Sequence, residues 1–157
     1  MKKLLFLFIS VCFLCSACNN SAALNSNIEI ADIESVFYKN LNSEIGYCDV
    51  SEYYRQNYFS DLQELEEYKI YTSNDSTNFD EFGIFKFKTE EAARKYIKTI
   101  KKYLTNSENE FQNGIIYNIN EYPKFKNADV EILGKYLIYT ILLPEKSEKI
   151  FYEIKAL

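Results

Sequence analysis

Cysteines and carboxylates are the groups in this sequence with chemistry to offer. Cys15 and Cys18 stand three apart in FLCSAC, a spacing that suits a redox pair or a metal half-site. A thioredoxin-type pair needs a folded βαβ setting, whereas Cys18 closes an apolar run that begins directly after Met1, Lys2 and Lys3, so the redox interpretation fails. The chain has no histidine. That excludes Ser-His-Asp and Cys-His nucleophile systems together with the usual zinc ligand sets, and neither a metal nor a cofactor is expected. Cys48, in EIGYCDV, has no imidazole or basic neighbour to lower its pKa and reads as an inert thiol without a disulfide partner.

The cysteine chemistry that remains is acylation. Two lysines, the apolar run LLFLFISVCFL and the small residues Ser16 and Ala17 follow the order of a secretory leader. The run falls short of the roughly 20 apolar residues that span a bilayer, and polar Asn19, Asn20 and Ser21 come next. The stretch LCSAC resembles a bacterial lipobox, with Cys15 where an aliphatic residue is usual. Residues 1–17 are therefore expected to be a lipoprotein signal peptide, with Cys18 the lipid attachment site. A diacylglyceryl thioether supplies two acyl chains, and at about 0.8 kcal/mol per buried methylene two chains hold where one exchanges. Loss of Lys2 and Lys3 would leave 16 basic against 23 acidic side chains, an acidic balance that argues against a nucleic-acid partner.

Three further constellations could carry function. Tyr53, Tyr54 and Tyr58, with Phe59, make an aromatic patch suited to a binding surface. In a chain with 17% aromatic residues, packing in the core is the better account of it. Glu64, Glu66, Glu67, Asp80, Glu81, Glu90 and Glu91 could include an acid/base pair for glycoside hydrolysis, yet helix-start and solvated-loop positions already explain them. Arg94, Lys95, Lys98, Lys101 and Lys102 form a basic flank that could touch anionic lipid or envelope polymer, with a solvated helix face as the default.

The elements that must position these residues follow from periodicity. Residues 18–30 are the lipidated cysteine and a flexible polar tether, and residues 31–157 form a single domain. ADIESVFYKNLN spaces Ile33, Val36, Phe37 and Leu41 as a helix, and DVSEYYRQNYFSDLQELEEY reads as one or two more. Residues 68–71 and 82–88 read as strands around a polar loop, with Phe85 and Phe87 on a covered face and Lys86 and Lys88 on a wet one. TEEAARKYIKTIKKYLTNSENEF is the strongest helix, capped by Thr89, with Ala93, Ile97, Ile100, Leu104, Ser107 and Phe111 in one stripe. Residues 113–127 suit an irregular strand or a covering loop equally. ADVEILGKYLIYTILLP is a hairpin turning at Gly134-Lys135, and the chain closes on a helix with Ile150, Ile154 and Leu157 inward.

This order, α-α-β-β-α-β-β-α, predicts an α+β domain: a four-stranded, mainly antiparallel sheet with helices on one face. The lipobox, LEEY before a strand, GIFKFKTEEAARKYIKTIKKYL as strand plus charged helix, and the final SEKIFYEIKAL together resemble the small Bacillota lipoproteins grouped as domain of unknown function 4358, over roughly residues 31–157. The resemblance implies an extracytoplasmic lipoprotein at the cell membrane and carries over no site residues. The expected function is a non-enzymatic binding or interaction module of the cell envelope, partnered by membrane lipid through Cys18 and by an envelope protein or polymer. The alternative is a small envelope hydrolase using paired carboxylates. Nothing in the sequence points to an oligomeric state.

Overall fold

The computed structural model describes residues 24, 28–41, 44–114 and 118–157. Residues 1–17 and Cys18, with most of the expected tether, lie outside them. The elements in chain order are α1 (Ile30–Asn40), β1 (Tyr47–Asp49), α2 (Ser51–Asn57), β2 (Leu65–Ser73), β3 (Glu81–Phe87), α3 (Glu90–Gln112), α4 (Tyr122–Lys126), β4 (Asp129–Leu133), β5 (Tyr136–Ile141) and α5 (Pro144–Ile154). A single 3₁₀ turn, Ile119–Glu121, precedes α4. The class is α+β, as expected.

The sheet is fully antiparallel in the order β1-β2-β3-β5-β4. It has five strands where the sequence predicts four. The extra one, β1, is only three residues long, too short for alternation to register. The β4–β5 turn sits at Gly134-Lys135 as expected, with Gly134 at φ +60°, a conformation that glycine adopts without strain. Thr89 caps α3 by accepting a 3.1 Å hydrogen bond from the Ala92 N–H.

Helices cover both faces of the sheet, not one. Every residue of β3 and of β5 is buried. On one face Phe82, Ile84, Tyr136 and Ile138 pack beneath α1 and α5, whose Phe37, Ile150 and Ile154 close that core. On the other, Phe85, Phe87, Leu137 and Tyr139 pack beneath α3, with Phe59 and Phe125 beside them. Lys86, assigned by alternation to a wet face, is 8% exposed under the first core. Its stem is long enough to run out of that core and carry the ammonium to the Glu29 carboxylate.

Three smaller corrections follow. The inward stripe of α3 is turned slightly from the expected one: Ala92 and Tyr96 are buried and Ile97 is half-buried, because Tyr96 stacks on Phe87 at 5.5 Å. Of the undecided segment, residues 119–126 are helical, Pro123 starting the last turn where its missing N–H costs nothing. In α5, Ile150 and Ile154 point inward and Leu157 is exposed.

Candidate functional site

Glu81 opens β3 on the same face as Phe85 and Phe87, and there it is buried. A carboxyl taken out of water is costly unless its oxygens are satisfied. Three phenols do this: Tyr103 from α3 and Tyr139 from β5 each donate to Oε1 at 2.7 Å, and Tyr54 from α2 donates to Oε2 at 2.9 Å. Burial nonetheless dominates and raises the Glu81 pKa above the ordinary glutamate value, with the phenols opposing it. The same burial, and then the charge of Glu81, drive Tyr103 and Tyr139 well above the usual tyrosine range.

Gly83 makes this arrangement possible. It lies directly across from Tyr139 in the β3–β5 register, and a Cβ there would sit 2.1 Å from Tyr139 Cε1. Without one, the Tyr139 ring crosses β3 and delivers its hydroxyl to Glu81, covering the glycine as it does so.

Above these groups lies a cleft of about 290 Å³ between α2, α3 and the loop 74–80. Its aromatic lining is Tyr54, Tyr58, Tyr103, Phe79 and Phe125, and its mouth carries Asp75, Asn106 and Glu110. The loop is pinned from behind. Phe79 N–H donates to Glu121 Oε2 at 2.8 Å, and Asn118 Nδ2 donates to the Thr77 carbonyl at 3.0 Å. Buried Lys124 donates to Asn78 Oδ1 at 2.6 Å and Glu121 Oε2 at 2.5 Å. Its ammonium also lies 2.5 Å from Asp80 Oδ1, as an ion pair without hydrogen-bond geometry. Asp80 Oδ2 takes the Tyr47 hydroxyl at 3.1 Å and has Lys146 at 3.7 Å. Asp80 and Glu81 are thus neither solvated nor free, contrary to the loop position inferred for them.

The expected aromatic patch is split. Tyr54 and Tyr58 line the cleft, with ring centroids 5.1 Å apart, while Tyr53 packs outside them at 60% exposure and Phe59 is core. By the helical advance of about 100° per residue, the basic flank is centred on a different face of α3 from Tyr103 and Glu110, with Lys102 one turn before Asn106 at the border between them. Arg94 is paired with Glu90 at 2.5 Å and Lys95 with Glu64 at 3.8 Å. Lys98, Lys101 and Lys102 are exposed and make no ion pair among the described residues. Cys48 is a free, exposed thiol beside Asn74 Oδ1. Among the described residues no group of three or more Cys, Asp or Glu side chains is placed to hold a metal, and no helix is long and apolar enough to cross a membrane.

Sequence reasoning missed Glu81, Gly83, Tyr103 and Tyr139 as a unit. One signal was present: in EFGIFKF, Glu81 and Gly83 are in phase with Phe85 and Phe87, so a covered face for the phenylalanines also covers the carboxyl.

Fold and cleft together define a helix-covered antiparallel α+β domain with two adjacent buried carboxyls, Asp80 and Glu81, beneath an aromatic cleft. The chain belongs to the family described as Domain of unknown function (DUF4358), which matches residues 48–142. That span runs from β1 through β5 and includes α2, α3 and α4, leaving α1 and α5 outside it. No curated protein and no solved structure matches the chain.

Proposed function

We propose that this chain is a lipoprotein held at the outer surface of the cell membrane through Cys18, and that its domain is a non-enzymatic binding module using the cleft over Glu81. The observation that carries the binding role is the saturation of that carboxyl. Both Glu81 oxygens are taken by phenols, and the neighbouring Asp80 is engaged by Tyr47, Lys124 and Lys146, so neither is free to act on a substrate or an attacking water. What remains open is an aromatic lining with a polar mouth, the composition of a small-ligand site.

A single observation favours the alternative, a hydrolase working through paired carboxylates: Glu81 sits in a concave site with a raised pKa, as a general acid would. The lysines on Asp80 weigh against it.

The test is mass spectrometry of full chain purified from membranes of the native host. The intact mass should show acylation that Cys18→Ala abolishes, and native conditions should show a small molecule that Asn106→Trp, at the exposed mouth of the cleft, displaces. An unacylated chain overturns the anchor. A bound molecule indifferent to Asn106→Trp overturns the cleft, and turnover of a glycoside lost in Glu81→Gln establishes the hydrolase.

A further inference from the structure

We infer that the cleft over Glu81 is selective for charge and takes an organic cation: an amine or quaternary ammonium group on a small apolar body. This rests on the cleft being the binding site, and it names the ligand class.

Size comes first. The cleft holds about 290 Å³. That is about twice the 150 Å³ of a cavity known to admit benzene, so one ring or a compact chain with a short polar arm fits and a polymer segment does not. Next is the character of the walls. Tyr54, Tyr58, Tyr103, Phe79 and Phe125 present ring surface, and Tyr58 is 48% exposed. Tilted rings with an open face attract cations through their negative π surface as well as covering apolar groups.

The sign of the charge decides the class. Every titratable side chain lining the cleft other than tyrosine is an acid, namely Asp75, Asp80, Glu81 and Glu110. The cations paired with its acids are already spent: Lys124 on Asp80 and Glu121, Lys146 on Asp80. Lys102, one turn before Asn106 on α3, points from the solvated flank and does not line the cleft. Arg55 turns away and donates to the Phe59 and Leu62 carbonyls. Asp75 and Glu110, one on each side of the mouth, form no ion pair with a described residue. The Thr77 N–H and hydroxyl, both 2.8 Å from Asp75 Oδ1, and then the charge of Lys124 hold the Asp75 pKa below the usual range, so the group is ionised at neutral pH. The Tyr58 pKa is raised, first by partial burial and then by Tyr53 and by the charges of Glu110 and Glu81, so both carboxylates act on the ring at the mouth. An anion entering here would meet uncompensated negative charge, and a neutral ligand would gain nothing from it. A metal ion would find aromatic walls and no ligand set among the described residues.

The test holds the apolar body constant and varies the charge. Full chain in non-ionic detergent at low salt is titrated with benzyltrimethylammonium, benzylamine, benzyl alcohol and benzoate, binding being read by calorimetry and by ligand-observed NMR. The two cations should bind saturably, benzyl alcohol about tenfold more weakly or less well still, and benzoate not at all. Asp75→Asn combined with Glu110→Gln should weaken benzylamine about tenfold, Tyr58→Leu about threefold, and 0.5 M salt should weaken both cations. All three positions are exposed, and thermal melts matching the parent confirm folded variants. Equal affinity for benzylamine and benzyl alcohol, or indifference of benzylamine to the double variant, overturns the cation inference while leaving the cleft as a binding site. Cation binding that survives Asn106→Trp overturns the cleft as the location.

Discussion

The two faces of the sheet are built from alternate residues of the same strands, and on β3 each face buries one side chain that carries a charge in water. Under α1 and α5 it is Lys86, and under α2 and α3 it is Glu81. Lys86 escapes by length: its ammonium lies 6.0 Å over the Tyr136 ring and reaches Glu29, whose side chain is 63% exposed. Glu81 is too short to leave, so donors come to it, and the three tyrosines that bring them leave an aromatic cleft with a polar mouth above. The dry face is closed tightly, with Phe37 stacked on Phe82 at 4.0 Å and an interplanar angle of 7°. A short acid on an inward strand position thus builds a site where a long base builds only a rim contact.

The largest expected effects test whether both faces are true cores. Phe82→Ala empties the α1–α5 side and Phe85→Ala the α3 side, and each should cost about 3–5 kcal/mol in urea denaturation. The two losses should add to within about 0.5 kcal/mol if the cores are independent. A Phe82→Ala cost near zero would restore the one-sided sheet.

Next comes the device that lets Tyr139 reach Glu81. Gly83→Val places atoms where the Tyr139 ring lies and should cost about 2–4 kcal/mol, from overpacking together with a buried hydroxyl torn from its acceptor. In a Tyr139→Ala background, most of the Gly83→Val cost should disappear. Persistence of the full cost there would remove Tyr139 as the reason for the glycine.

The third effect is a pH slope. Glu81 has a folded pKa raised above its ordinary value of 4.5, so the folded chain holds the proton more tightly than the unfolded one. Its contribution is fully present below about pH 4.5 and is lost as pH rises through the folded value. Asp49 and Glu153, whose pKa values are lowered, act in the opposite direction and are common to parent and variant. The stability advantage of parent over Glu81→Gln should therefore shrink from pH 4.5 upward. An advantage that grows with pH would mean that the phenols outweigh burial and hold Glu81 ionised.

How much of this was legible in the sequence depended on whether a local pattern had one meaning. The α3 helix, its Thr89 cap, the Gly134 turn and the inward Phe85 and Phe87 each follow from neighbours within a few residues, and the structure agrees. Alternation in FGIFKFK misleads, because Lys86 looks like solvent exposure unless the covering helix α1 is known to start at Glu29, 57 residues away. The cleft was harder still. Tyr54 and Tyr58 read as a patch, but Tyr103 and Tyr139 join them only through pairing across α3 and β5, which no single stretch encodes.

The smallest expected effect lies on α3, where the same helix offers a second candidate surface. Arg94 and Lys95 are neutralised by Glu90 and Glu64, which leaves Lys98, Lys101 and Lys102 as exposed cations without ion pairs among the described residues. Three cations near an anionic membrane could contribute about 1 kcal/mol each, but the acidic remainder of the domain repels the same surface. The stripe also ends in acid at both sides, with Glu90 and Glu91 before it and Glu108 after it. Repulsion should win, so Lys98→Glu, Lys101→Glu and Lys102→Glu combined should leave stability within about 0.5 kcal/mol of the parent. Unacylated chain should fail to co-sediment with phosphatidylserine vesicles at low or physiological salt, before and after reversal. Salt-sensitive sedimentation of the parent that the triple variant loses would make this flank a membrane contact, and would turn the comparison of two faces into one of three surfaces.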